Sequence, residues 1–197
     1  MPVRFPGSLL VAILLLVMAG CASVPRPAAP LPTDLADLDR WQARGRLGVS
    51  GTERSGSGSF DWQQRGRRAE VRIRGPLGLG SVHLQLVGDA ARPRLKLETG
   101  DGRVLQSQAA WDELEARLGE DVPAGNLRYW MLGLAAPGEH RWHDGEGTGD
   151  AVLEQDGWRI DYQRYSSEAG ARVPVKMRAS NGQAQVRIVV DQWRLGQ

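Results

Sequence analysis

Few residues in this 197-residue chain have the type and spacing to do chemistry. His140, His143 and Asp144 fall together in "EHRWHD". Imidazole and carboxylate groups can ligate a divalent metal. Three of them on one loop or strand also describe an ordinary solvated surface, and that is the reading preferred. The glycine-rich "SGSGSF" at 55–60 lacks the Lys-Ser/Thr of a phosphate loop and reads as a flexible strand start. No G-x-S-x-G elbow and no H-E-x-x-H pair is present. The acids of "WDELEARLGED" fit a solvated helix face. Nothing here argues for an enzyme, and neither a cofactor nor a metal is expected.

One residue stands apart. Cys21 is the single cysteine. It follows Arg4, the apolar run "LLVAILLLVM" and the small residues "AG". A basic residue, a short apolar core and small residues before a cut make a secretory signal. The run is too short to span a bilayer, which takes about 20 residues. "MAGCAS" resembles a lipobox, so residues 1–20 read as a lipoprotein signal and Cys21 as the acylated new N-terminus. Met18 stands where leucine is commoner. Ala22 and Ser23 follow the cut, and neither is the aspartate of an inner-membrane retention signal, which points to the outer membrane. The mature chain then has no disulfide.

Residues 21–32 form the lipidated N-terminus and a tether rich in proline and alanine, which can neither pack nor hold a helix. The folded domain is expected over 33–197, the size of one domain. The formal net charge is +2, and removing residues 1–20 takes one arginine and no acid, leaving +1. That is no nucleic-acid footprint.

The body reads as strands. "RRAEVRIR", "SVHLQL", "RPRLKLE", "WRIDYQRY", "VPVKMRAS" and "AQVRIVVDQW" alternate apolar and polar residues, which gives each strand a dry and a wet face. "ETGDGR" and "SNGQ" are hairpin turns. Three helices are expected: "TDLADLDRWQ", capped by Thr33 or Asp34; "SQAAWDELEARLG", with Trp111, Leu114 and Leu118 on one side; and "AGNLRYWMLGL", with Leu127, Trp130, Met131 and Leu134. The fold class is mainly β with helices (α+β): an unclosed antiparallel half-barrel with a helical lid over a hydrophobic cavity.

Two features suggest an apolar ligand. Seven tryptophans are many for one domain, and most sit on the apolar faces. The turn "GPLGLG" at 75–80 carries Leu77 and Leu79, where turn tips are usually polar. The acyl-cavity candidates are Phe60, Trp62, Val71, Ile73, Leu84, Leu86, Leu95, Trp111, Trp130, Met131 and Leu134.

The ordered segments "RWQARGRLGVSG", "GSFDWQQ", "RIRGPLGLGSVHLQL", "LRYWMLGLAAPG", "GWRIDYQRY" and "VRIVVDQW" behind a lipobox resemble the outer-membrane lipoprotein receptor family LolB. The resemblance implies a receptor that accepts triacylated lipoproteins from the periplasmic carrier LolA. It would insert them into the inner leaflet of the outer membrane and bind their acyl chains in an apolar cavity. It also implies that the loop matching "GPLG", here Gly75, Pro76, Leu77 and Gly78, inserts Leu77 into outer-membrane phospholipid. Nothing carries over to Leu79. Arg72 and Arg74 are candidates for charge complementary to the carrier. The expected state is a monomer at the periplasmic face, lipid-anchored through Cys21. Two other readings stand beside this one: a scaffold lipoprotein of an outer-membrane assembly complex, and a lipid or cell-wall hydrolase.

Overall fold

The computed structural model describes residues 34–51, 55–75, 80–88, 92–118, 123–145 and 151–196, with the backbone alone at 117 and 118. Eleven strands form one antiparallel sheet: β1 (Arg40–Ser50), β2 (Ser55–Arg65), β3 (Arg68–Arg74), β4 (Ser81–Val87), β5 (Arg94–Thr99), β6 (Val104–Gln106), β7 (Arg141–Asp144), β8 (Ala151–Gln155), β9 (Trp158–Glu168), β10 (Ala171–Ser180) and β11 (Gln185–Leu195). Helices α1 (Ser107–Leu118) and α2 (Ala124–Met131) lie in sequence between β6 and β7.

The spatial order is β6-β5-β4-β3-β2-β1-β11-β10-β9-β8-β7. Two meanders thus meet where the first strand pairs with the last. The sheet ends at β6 and β7, which do not pair with each other. Both helices belong to the connection across that seam. The two edge strands are the shortest in the sheet, of three and four residues. β7 carries Arg141, His143 and Asp144, and short charged edges discourage pairing with another chain.

The alternation read from the sequence sets the layering. In β3, β4 and β5 the residues Ala69, Val71, Val82, Leu84, Leu86, Leu95 and Leu97 are buried, and their neighbours face outward. One contiguous cluster joins buried residues of β1–β5 and β8–β11 to Trp111 and Leu114 of α1 and Trp130 and Met131 of α2. Cross-strand pairs hold the outer face: Arg44 to Asp61 at 2.8 Å and Arg46 to Asp191 at 3.0 Å. Such exposed pairs are worth about 0–1 kcal/mol each, so the apolar face carries the stability.

The first expected helix is not formed. Asp34 does cap a turn, its side chain accepting from the Ala36 N–H, but the turn is a single 3-10 stretch, Leu35–Asp37. Trp41 and Gln42 belong to β1. The i, i+3 spacing of Leu35 and Leu38 suits a helix, but Trp41 and Ala43 continue as a period-two pattern. β1 is hydrogen-bonded on both sides, to β2 and β11, and two ladders outweigh one helical turn. Thr33 lies outside the described residues.

The β1–β11 ladder shifts register between Arg44 and Gly45. A Cβ at Gly45 would stand 2.0 Å from the Val189 carbonyl oxygen, so only glycine permits this crossing.

Candidate functional site

All eleven cavity candidates come together on the inner face. Phe60 stands opposite Ile73, Trp62 opposite Val71, Val71 opposite Leu84, and Leu86 opposite Leu95. Trp111 comes from α1, Trp130 and Met131 from α2, and Leu134 from the turn just beyond it. Nine are buried, while Ile73 and Leu134 are partly buried against the same cluster.

Other residues of this face escaped the sequence list. Trp41 stacks on Trp62 with centroids 5.5 Å apart and meets Trp193 edge-on at 5.4 Å. Leu97, Leu153, Ile160 and Tyr162 are completely buried in the same cluster. The alternating strand pattern already placed Ile160 and Tyr162 on an apolar face. Trp41 was hidden by its assignment to a helix.

Trp142 differs from the other six tryptophans in being 41% exposed. It pairs with Leu153, so it projects to the inner side of the edge strand, and it stacks on Tyr162 at 5.9 Å. It therefore sits at the rim of the seam.

Helix α1 is held at its flanks. Trp111 donates its indole N–H to the Pro93 carbonyl at 3.3 Å. Arg92 lies over the Trp111 ring and pairs with Glu115, and Arg103 reaches Glu113 at 3.4 Å.

Helix α2 hangs on a buried polar knot that no sequence signal announced. Gln155, 3% exposed, accepts from the Trp130 indole N–H at 3.0 Å and from the Ala136 N–H at 2.9 Å. It donates to the Ala136 carbonyl at 2.8 Å. Tyr162 donates its hydroxyl to the Trp130 carbonyl at 3.0 Å. Burial, and then the neighbouring Tyr165, push the Tyr162 phenol well above its ordinary range, so it remains a donor throughout the physiological range. Asn126 adds a contact to Asp156 at 2.5 Å. These bonds satisfy every group they touch, and that is what permits polar atoms inside an apolar face.

The histidine set does not assemble. His143 and Asp144 are adjacent on a strand and point to opposite faces, with His143 opposite Val152 and Asp144 opposite Ala151. His143 lies 3.2 Å from Glu154, and His140 lies 3.0 Å from the Gly138 carbonyl. Among the described residues no group of three metal-type ligands occurs. Two surface hollows, of about 740 and 510 Å³, have linings rich in charged residues: Glu139, Arg141, Glu154 and Arg159 beside His140 in the first, and Arg159, Asp161 and Arg178 in the second. Such linings do not suit an acyl chain.

At the tip, Gly75 and Gly80 are described, whereas Pro76, Leu77, Gly78 and Leu79 lie outside the described residues, as does Cys21. Gly75 serves close approach rather than a left-handed turn. A Cβ there would stand 2.7 Å from the Ser57 carbonyl oxygen, and one at Gly58 would stand 2.5 Å from that of Arg74. Gly80, at φ +59°, supplies the left-handed residue. Arg74 ends β3 beside this loop, whereas Arg72 lies on the outer face, 3.7 Å from Glu70.

Among the described residues no helix is long and apolar enough to cross a membrane. A solved LolA superfamily protein from Nitrosomonas europaea matches 81% of this chain and 87% of its own at TM-score 0.50 and 10% identity, a likeness of fold alone. The outer-membrane lipoprotein LolB of Stutzerimonas stutzeri is 32% identical over 200 residues, covering 95% of each chain. Its counterpart in Pseudomonas aeruginosa is 34% identical over 161 residues, 81% of this chain and 77% of that one. The family model described as "Outer membrane lipoprotein LolB" matches residues 39–193, and the chain belongs to the LolB family.

Proposed function

We propose that this protein is a lipid-anchored receptor at the periplasmic face of the outer membrane. It takes triacylated lipoproteins from the soluble carrier LolA and passes them to the inner leaflet. The observation that carries the reading is the inner face itself. An eleven-stranded sheet left open at one seam turns a continuous aromatic and aliphatic surface toward two short helices, which span the gap. A scaffold protein has no need of a seam, and a hydrolase needs a nucleophile with a base beside it.

The physical task explains the architecture. Exposing one acyl CH₂ to water costs about 0.8 kcal/mol, so three long chains amount to tens of kcal/mol. Free passage through water is excluded, and hand-over must run from one dry site to another. In the closed state the face is packed on itself, with Trp111, Trp130 and Met131 as the lid's contribution. Acyl chains enter where α1 and α2 part from β4, β5 and β9, and the side chains of the inner face take their place around the ligand. No nucleotide is required: the receptor binds more tightly than the carrier, and the bilayer is the final sink. The protein acts as a monomer, because the seam must face the carrier.

Release is assigned to the 75–80 tip. Burying one leucine is worth about 1.5–3 kcal/mol, too little to anchor a protein but enough to orient a cavity mouth at a leaflet. The test is Leu77→Glu. Cargo should pass from carrier to variant at the wild-type rate, while delivery from the variant into liposomes slows sharply, because a charge resists entering lipid. Equal loss of both steps would contradict the assignment, and so would loss of neither.

A further inference from the structure

Among the described residues two large apolar side chains are exposed, Val104 at 50% and Trp142 at 41%. They stand on β6 and β7, the two strands that bound the seam. Val104 pairs with Glu98 and turns to the outer side. Trp142 pairs with Leu153, which pairs with Ile160, and both of these are completely buried on the inner side. The open edge therefore presents one indole in line with the inner face.

That indole reaches past β8 to stack on Tyr162 of β9, with centroids 5.9 Å and planes 27° apart. Tyr162 lies 6.0 Å from Tyr165 and donates its hydroxyl to the Trp130 carbonyl of α2. With its hydroxyl committed to the lid helix, Tyr162 presents the apolar face of its ring to Trp142. Trp130 in turn meets Trp158 at 6.4 Å. An aromatic path thus runs from the rim to the lid, and Trp142 is its exposed end.

Trp142 is also the member of that path that can move. β7 has four residues, all exposed, and a single ladder, to β8. Its outer side adds only exposed contacts, from Glu154 to Arg141 at 4.0 Å and to His143 at 3.2 Å. Exposed side chains change rotamer within picoseconds to nanoseconds, far faster than helices part. The width of the patch selects its visitor. Arg141 and Asp144 flank the indole, and one ring is too small for a protein contact, which buries about 1,200 Å² or more. It suits a single hydrocarbon chain lying along the ring.

We infer that Trp142 is the entry subsite for an acyl chain of the cargo. The chain meets this ring first. The ring lifts from Tyr162, the chain slides beneath it toward Trp130, and the ring closes on the chain. The inference rests on the acyl-binding reading of the inner face and adds the residue at which that face begins.

In the test, the purified full mature protein takes a synthetic triacylated lipopeptide without tryptophan from LolA. Acceptance is timed for wild type, Trp142→Ala and Trp142→Phe. Trp142→Ala should accept at least about threefold more slowly, and Trp142→Phe, which keeps a ring on Tyr162, at the wild-type rate. The emission difference between wild type and Trp142→Phe isolates Trp142. Iodide should quench that emission before loading and quench it less afterwards. Wild-type acceptance by Trp142→Ala, or equal slowing by Trp142→Phe, overturns the inference, and so does iodide quenching that loading leaves unchanged. The last two readings decide the matter even where Trp142→Ala folds poorly. Shielding that grows with protein concentration in the absence of lipopeptide would show a second copy of the chain on the ring, and would also overturn it. Loss of the entry role alone leaves wild type accepting the lipopeptide. A well-folded wild type that accepts none brings down the acyl-binding reading as well.

Discussion

Replacing Gln155 by methionine tests how the lid is held. Methionine matches the volume and leaves no cavity, so what is lost is hydrogen bonding. Three groups lose their partner: the Trp130 indole N–H, the Ala136 N–H and the Ala136 carbonyl. All three bonds are buried. A buried group deprived of its partner costs about 1–3 kcal/mol, so the loss is about 3–6 kcal/mol after partial relaxation. For a domain of this size 1 kcal/mol moves the Tm by about 2–4 °C, which puts the fall at about 6–24 °C. Gln85, half-buried on the outer face of β4, is the control, and Gln85→Met should stay within about 0.5 kcal/mol of wild type. Thermal melts followed by circular dichroism read the stability. Stopped-flow release of an apolar fluorescent probe reads the lid, and release should be faster from Gln155→Met. A melting temperature within about 2 °C of wild type would refute the reasoning, since three orphaned buried groups cannot be free of cost.

Two further outcomes follow from named residues. Gly58→Ala places a methyl 2.5 Å from the Arg74 carbonyl oxygen, forcing β2 and β3 apart at the root of the tip; it should cost about 1–3 kcal/mol and slow delivery more than acceptance. Gly48→Ala, whose nearest neighbour would be 3.8 Å away, should do neither, and matching melts for the two variants would contradict the close-approach argument. Mass spectrometry of the mature protein should find Cys21 at the N-terminus bearing acyl chains, and Cys21→Ala should accumulate as unacylated precursor.

The sheet was legible because alternation is a local property. Val71, Leu84 and Leu95 each sit in a run whose odd and even positions differ in polarity, and burial follows that pattern strand by strand. Helices α1 and α2 were legible for the same reason, with Trp111 and Leu114 three residues apart on a buried side. The segment at 35–41 was misread because spacing of three fits a helix over so short a window. What decided it was pairing with β11, about 150 residues away, which no window sees.

Gln155 was invisible on the same grounds. A glutamine on a strand looks solvated until a loop nineteen residues earlier brings the Ala136 backbone to it. The glycines were half legible. A glycine pair at a turn announces a turn, but Gly58 and Gly75 act through each other's strand, and only the register shows that. In "EHRWHD" the histidines and Asp144 drew the reading and Trp142 did not: strand alternation separates His143 from Asp144 and leaves the tryptophan at the rim.

The central claim is that the inner face of this sheet receives acyl chains from a carrier and gives them up to lipid. The direct measurement incubates purified protein with LolA loaded with a triacylated lipoprotein, then adds liposomes and follows the cargo through each stage. The account predicts that cargo leaves the carrier for this protein without nucleotide, displaces a bound apolar probe as it arrives, and moves on to the liposomes when they are added. A well-folded protein that leaves the cargo on LolA, or that takes it without releasing the probe, would contradict it.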